Sequence, residues 1–263
     1  AFRIEALSFS WPGRAPLFSG LELTIGRGEA WAIIGASGSG KSSLLALLAG
    51  LEKPDSGRIL VDGLPLERPR PNSGLVLQDH GLLPWATIRD NVSLGPRLRR
   101  FYGPDGRHAP AFRRHSAGAA VGRARFREEP FDATAAVEGW LARLGIADIA
   151  GAWPARVSGG QRQRAAIARS LVLEPDILLM DEPFASLDEA TREDLRALTL
   201  DIRREQGMTV VVVTHSIDEA LAMGDTILVL LPGSGPELHA NPRGDPALTA
   251  GLKARLRAAL EGP

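Results

Sequence analysis

The sequence contains no cysteine. That excludes a disulfide scaffold and a thiolate metal centre, and it fits a reducing compartment. Net charge is also missing, because 31 Lys and Arg balance 31 Asp and Glu. Bulk electrostatics therefore gives no sign of a nucleic-acid partner. Long apolar runs are absent too: I-L-V-L-L at 227–231 is typical, far short of the roughly 20 residues that cross a bilayer as a helix. No signal peptide is visible at the start, and the composition leads us to expect a soluble intracellular α/β protein. What the chain does have is apolar mass. Hydrophobic residues make up 44% of its 263 positions, enough for one large domain or one domain with an inserted lobe.

The N-terminal stretch alternates apolar and polar residues at Phe2, Ile4 and Ala6, then at Leu21, Leu23 and Ile25. That period of two predicts two half-exposed antiparallel strands joined by the turn-rich W-P-G-R-A-P. The run A-W-A-I-I at 30–34 is nearly all apolar and suits a strand buried on both faces. A glycine-rich turn follows, then the helical S-S-L-L-A-L-L-A, closed by Gly50 as a C-cap. Further buried strands are expected at 74–77, 176–180, 209–214 and 226–231. Amphipathic helices lie between them, one carrying Leu195, Leu198 and Ile202 with Asp188 as N-cap and Gly207 as its stop. Such alternation predicts a mostly parallel sheet covered by helices. From 97 to 127, nine arginines and two histidines stand against one acid, Asp105, and no period survives. We expect an irregular loop or insertion there. It is either a contact for lipid head groups or an acidic partner, or a solvated loop. Order returns with Val137, Trp140, Leu141 and Leu144, a helix ending at Gly145. After 231 there is room only for a short tail, with one helix bearing Leu252, Leu256 and Leu260 on one side.

Three short motifs carry chemistry. G-A-S-G-S-G-K-S at 35–42 matches G-x-x-x-x-G-K-S between a predicted strand and a predicted helix, the context a phosphate loop requires. Its glycines let successive N–H groups point at phosphates. Lys41 would bridge the β- and γ-phosphates, and the Ser42 hydroxyl would ligate Mg²⁺. The candidate nucleotide contacts are Gly35, Ser37, Gly38, Gly40, Lys41, Ser42 and Ser43. Next, I-L-L-M-D-E-P at 177–183 delivers two acids at the end of an apolar strand, where open α/β sheets bind ligands. Asp181 would hold Mg²⁺ through water, and Glu182 could act as general base. The third motif is V-S-G-G-Q at 157–161, directly before a helical pattern. A helix N-terminus with a serine hydroxyl can grip a phosphate without any lysine.

With these motifs in order, the whole chain resembles the ATP-binding subunits of ABC transporters. The resemblance implies an α/β fold: a P-loop NTPase core of ABC type with a mostly parallel sheet, an N-terminal antiparallel β subdomain and an inserted helical lobe. Mapped onto 1–263 as a single ATPase domain, it places the core at 1–78 and 160–235, the helical lobe at 79–159, and a short tail at 236–263. Ser158, Gly159, Gly160 and Gln161 look like the family's signature, with Val157 where leucine is usual. In the family that motif meets the γ-phosphate of an ATP held by the opposite subunit, which implies a head-to-tail dimer around two ATP. The partner is a second copy or a homologous ATPase subunit. Gln78 looks like the glutamine that senses Mg²⁺, His215 like the switch histidine, and Asp188, after Ser186 and Leu187, like the loop residue that crosses the dimer interface. Ser216 and Glu219 fit a capping box at the start of the next helix. Trp11 is the preferred candidate for stacking on adenine, with Phe9 as competitor.

The segment at 75–95, L-V-L-Q-D-H-G-L-L-P-W-A-T-I-R-D-N-V-S-L-G, is similar to the nitrate, sulfonate and taurine importer ATPases, and thiamine-type importers are close. G-L-L-P-W would then form part of the groove for a permease, or else pack locally beneath the lobe. One phosphate loop and one signature without a spanning segment resemble the importers of that family, whose ATPase is a separate chain, and the resemblance implies an importer subunit. Its partners would be integral-membrane permease subunits and, indirectly, a solute-binding protein, with no nucleic acid. Its place would be peripheral, on the cytoplasmic face of the membrane. The alternatives are an exporter or lipid-extraction ATPase, and a non-transport ABC protein.

Overall fold

Backbone pairing in the computed structural model, which describes residues 1–102, 132–231 and 235–261, sorts the strands into two sheets. In chain order the first elements are β1 (Phe2–Phe9), β2 (Phe18–Ile25), β3 (Ala30–Gly35), α1 (Lys41–Leu48), β4 (Ser56–Val61), β5 (Leu64–Pro65) and β6 (Ser73–Val76). A run of helices follows: α2 (Ile88–Val92), α3 (Leu94–Tyr102), α4 (Ala133–Arg143) and α5 (Gly159–Leu171). The chain closes with β7 (Ile177–Asp181), α6 (Glu189–Gln206), β8 (Thr209–Val213), α7 (Ile217–Met223), β9 (Thr226–Leu230), β10 (Glu237–Ala240) and α8 (Pro246–Glu261). Two compact units result, Ala1–Gly81 with Pro175–Pro263, and Leu82–Glu174.

In the first unit a four-stranded antiparallel sheet has the order β2-β1-β4-β5. A six-stranded sheet has the order β10-β9-β3-β8-β7-β6, parallel except for β10, which runs antiparallel to β9. The strand β3 is buried on both faces, as its sequence predicts. Trp31 and Ile33 join the core shared with the antiparallel sheet and with Leu44, Leu47 and Leu48 of α1. Ala32 and Ile34 face the opposite way, toward Ala220 of α7 and Leu252 and Leu256 of α8. Leu260 is partly buried on the same cluster, so the one-sided leucine pattern of the tail is a docking face. Among the described residues no helix is long and apolar enough to cross a membrane.

The alternation at Phe2, Ile4 and Ala6 breaks at its third member. Ala6 is exposed, with φ at 46°, and Leu7 takes the inward place. The cause is a bulge: the pairing of β1 with β4 shifts register between Glu5 and Ser8. Across from it Gly57 has φ at 77°, and a Cβ there would lie 2.3 Å from the Ala6 carbonyl oxygen and 2.4 Å from that of Glu5. Neither β4 nor β5 is expected from the apolar pattern; the turn between them is D-G at Asp62 and Gly63, both with positive φ, the backbone of a two-residue hairpin. The strand β10 is likewise unexpected.

In the second unit α5 packs against α2, α3 and α4. The return to core expected at 160 is therefore corrected: α5 belongs with the helices, and the unit ends at Glu174. Val137, Leu141 and Leu144 are buried, while Trp140 is partly exposed with the Arg143 guanidinium 5.3 Å from its ring centroid. Gly145 ends the helix with φ at 64°. The irregular segment expected from 97 is corrected at its start, because α3 runs to Tyr102 and Arg97 pairs with Asp90 at 2.6 Å. The rest of that segment, from 103 to 127, lies outside the described residues.

The bulge yields a test. Gly57→Ala adds a Cβ into two carbonyls at a backbone angle that L-residues avoid, and it is expected to cost about 1–3 kcal/mol. Urea unfolding should show a lower midpoint at unchanged slope.

Candidate functional site

The site of the first unit begins where β3 ends. The turn from Gly35 to Gly40 carries positive φ at Gly38 (79°) and Gly40 (96°). A Cβ on Gly35 would lie 2.3 Å from the Leu230 carbonyl oxygen, and one on Gly40 would lie 2.9 Å from the Phe18 ring. Glycine is thus required by neighbours as well as by backbone shape. The first turn of α1 has no side-chain cap and no acidic residue of its own, which leaves its N–H groups and the positive end of the helix dipole to a ligand. Lys41 is 9% exposed and its ammonium donates to the carbonyls of Gly35 and Ala36, both at 2.9 Å. Burial lowers its pKa, opposed by the nearby Glu182 and Asp181 carboxylates.

The strand β7 brings its two acids to the same edge. The Ser42 hydroxyl donates to Asp181 Oδ1 at 3.1 Å. Burial raises the Asp181 pKa, the Ser42 hydrogen bond lowers it, Glu182 raises it and Lys41 lowers it. Glu182 sits in the left-handed region at φ 44°, although it is neither glycine nor asparagine and precedes Pro183. Its N–H donates to the Val213 carbonyl at 2.9 Å, which holds it against β8. Its Oε2 collects two neighbours: Gln78 Nε2 donates at 3.4 Å, and His215 Nδ1 lies at 3.2 Å. Gln78 stands two residues beyond β6, after an exposed Leu77. His215 stands two residues beyond β8.

Of the residues expected at a magnesium ion, Ser42 and Asp181 lie together, while the Gln78 amide reaches Glu182. Among the described residues no group of three His, Cys, Asp or Glu could hold a metal by itself. Magnesium fits this donor set because it uses one or two protein oxygens and completes its shell with phosphate oxygens and water. The hydrogen-bonded Ser42–Asp181 oxygens, one on a half-buried carboxylate, supply that pair.

Trp11 lies in the turn after β1, partly buried, and its Nε1 donates to the Ser43 hydroxyl at 3.0 Å. It meets Phe9 edge-on with centroids 5.3 Å apart. Phe9 is only 4% exposed and packs in the core, so its face is not free for a ligand. Asp188 caps α6, accepting from the Thr191 N–H at 3.0 Å, a bond that lowers its pKa. Sequence reasoning missed Arg192, which donates to the carbonyls of Phe184 (3.3 Å) and Leu187 (2.7 Å) and so fixes the loop before Asp188. Its signal was an arginine four residues into the helix from the cap. The capping box expected of Ser216 and Glu219 is half formed. The Ser216 hydroxyl accepts from the Glu219 N–H at 3.3 Å, but the Glu219 carboxylate turns to the Thr214 hydroxyl at 2.8 Å, which itself takes the Ser216 N–H.

In the second unit Ser158 caps α5 in a complete capping box. Its hydroxyl accepts from the Gln161 N–H at 3.2 Å, and the Gln161 side chain accepts from the Ser158 N–H at 2.9 Å. Gly159 and Gly160 form the first turn, which contains no acid, while Arg162 pins the approach through the Val157 carbonyl at 2.7 Å. The segment at 82–85 in this unit leaves Trp85 71% exposed, with Leu82 and Leu83 half-buried. The fully buried Asn91 clamps it, accepting from the Leu83 N–H at 2.7 Å and donating to the carbonyls of Leu83, Ala86 and Thr87. This clamp was also missed, since a single Asn in a helix carries no sequence signal.

A glycine loop from a buried strand into a helix, with its lysine against an acidic strand end, defines a P-loop nucleotide-binding protein. The particular family follows from comparison with known proteins. The sequence pattern of the family described as ABC transporter matches residues 18–185, and the chain belongs to that family. It is 39% identical over 229 residues to the taurine import ATP-binding protein TauB of Pseudomonas aeruginosa, covering 86% of this chain and 77% of that one. It is 38% identical over 257 residues to the aliphatic sulfonates import ATP-binding protein SsuB 2 of Burkholderia lata, covering 95% and 82%. Among solved structures it is similar to cbiO1 of Clostridium perfringens, part of the transporter complex cbiONQ. That match has a TM-score of 0.74 at 28% identity, over 96% of this chain and 92% of that one. It is also similar to the ATP-binding cassette MJ0796 in a dimeric post-hydrolysis state with ADP and Pi. There the TM-score is 0.73 at 28% identity, over 93% and 100%.

The Asn91 clamp generates a prediction for the segment at 82–85. Asn91→Ala removes the side-chain partner of the Leu83 N–H and of the Ala86 carbonyl, while the Leu83 and Thr87 carbonyls keep backbone donors, and is expected to cost about 1–3 kcal/mol. Fluorescence of the exposed Trp85 should shift on the variant, and its thermal midpoint should fall.

Proposed function

We propose that this chain is the ATP-hydrolysing subunit of an ABC importer for a small sulfonate-type solute. The observation that carries the hydrolytic reading is the meeting of Gln78, Glu182 and His215 on one carboxylate oxygen beside the Ser42–Asp181 pair. The N–H groups of the glycine loop and of the start of α1 bind the phosphates, with Gly35, Ser37, Gly38, Gly40 and Ser43 shaping the cradle. Lys41 supplies the positive charge that the β- and γ-phosphates need. Trp11 offers a ring to the adenine. A magnesium ion, when bound, neutralises charge that develops on the phosphates. Glu182 takes the proton of the attacking water, oriented by Gln78 and His215 at its Oε2.

The capped but acid-free start of α5, with Ser158, Gly159, Gly160 and Gln161, serves the ATP of a second copy, and Asp188 serves that interface. The dimeric state of MJ0796 with ADP and Pi supports this assembly. The names of the taurine and aliphatic sulfonate relatives support the solute class. Permease subunits receive the work of the dimer, with Trp85 and its neighbours as the contact, at the cytoplasmic face of the membrane. A solute-binding protein delivers the cargo.

Two variants test the hydrolytic reading together. Glu182→Gln should bind ATP like the wild type, form an ATP-dependent dimer by gel filtration, and release phosphate at least about 100-fold more slowly. Ser158→Arg should keep ATP binding and lose both dimer and turnover. Wild-type phosphate release by Glu182→Gln would mean that another group takes the proton. For the solute, the complex reconstituted in proteoliposomes should hydrolyse ATP faster with taurine or an alkanesulfonate than with nitrate; the reverse order would refute the sulfonate assignment.

A further inference from the structure

Glu219 is the buried acid of the first unit that the reaction does not use. It lies on α7, 3% exposed. Its Oε2 takes the Thr214 hydroxyl at 2.8 Å, and its Oε1 is buried without a hydrogen-bond partner. Burial pushes its carboxyl up; the Thr214 bond and then the charges of Arg196, His215 and Arg192 oppose this. Helix capping does not need this carboxylate, because Ser216 already caps α7.

What the carboxylate does is close a ring. The Thr214 hydroxyl donates to Glu219 and accepts from the Ser216 N–H at 3.1 Å, and the Ser216 hydroxyl accepts from the Glu219 N–H. Thr214 is itself tied to β3 by its N–H on the Ile33 carbonyl at 3.0 Å. His215 stands between Thr214 and Ser216 of this ring; its side chain projects into solvent, and its imidazole lies beside Glu182.

We propose that Glu219 is a positioning residue for His215, holding Thr214 and with it the 214–216 turn in the arrangement that sets the imidazole beside Glu182. The proposal rests on the reading of His215 as part of the hydrolytic site. Arg196 and Arg192 lie within electrostatic reach of the same carboxylate, and Arg192 holds the Phe184 and Leu187 carbonyls.

The test compares ATP turnover and MgATP affinity of the full chain for His215→Ala, Glu219→Ala, Glu219→Gln, Thr214→Val and the double variant His215→Ala with Glu219→Ala. Glu219→Ala and Thr214→Val should each lower kcat by about tenfold or more, with MgATP affinity within about threefold of wild type. Glu219→Gln, whose amide oxygen can still accept from Thr214, should keep at least about a third of kcat. Adding Glu219→Ala to His215→Ala should change kcat by less than about twofold, because the first change has already removed what the second positions. His215→Ala with wild-type turnover would remove the reading beneath the proposal. With His215→Ala impaired, three results overturn the proposal alone: full activity of Glu219→Ala, multiplicative losses in the double variant, or Glu219→Gln as impaired as Glu219→Ala. Should Glu219→Ala not fold, Thr214→Val carries the same comparison.

Discussion

Parallel strand register is the constraint on which the site depends. Ile33 of β3 stands level with Val213 of β8, Asp181 of β7 stands level with the same Val213, and Val76 of β6 stands level with Met180. The chain therefore leaves four neighbouring strands at one edge, and the phosphate loop, the acidic pair, Gln78 and His215 emerge together. A slip of one residue would turn Asp181 to the other face of the sheet. Such a slip is blocked by burial on both sides, because Trp31 and Ile33 belong to one core while Ala32 and Ile34 belong to another.

Conformational and electrostatic costs gather at that same edge. Glu182 is held left-handed before a proline, Asp181 is half-buried beside a second acid, and the Lys41 ammonium is nearly buried on two carbonyls. Glu219 keeps one oxygen without a donor. Left-handed backbone is not confined to the site, since Ala6 and Asp62 share it; what marks the edge is that strain, burial and charge fall on the same few residues. That coincidence has a physical reason. Groups that must meet a polyanion are most effective when already desolvated and oriented, and the packed sheet beneath them supplies the free energy to hold them so.

The motifs were legible because each is local. A phosphate loop needs glycines, a lysine and a serine within eight consecutive residues, and the signature needs a serine and two glycines at one helix start. The buried strands were legible because their apolar runs are continuous, with ends displaced by only a residue. Less was legible where one segment answers to another. The exposure of Ala6 depends on Gly57, far along the chain, and β10 forms only because β9 offers it an edge. The helix α5 joins its neighbours through packing that no period announces, and Glu219 abandons its capping box for a threonine hydroxyl.

The sequence by itself determined a P-loop ATPase of the ABC transporter family, since the backbone chemistry of its loops is written in contiguous residues. Only the tertiary structure decided which groups share the site. Gln78 and Glu182 are 104 residues apart, and Glu182 and His215 are 33 apart, yet one carboxylate oxygen serves all three. It also decided that Phe9 is spent on the core while Trp11 stands beside Ser43. Such choices depend on strand register and on competition for buried space, and both are settled between distant parts of the chain.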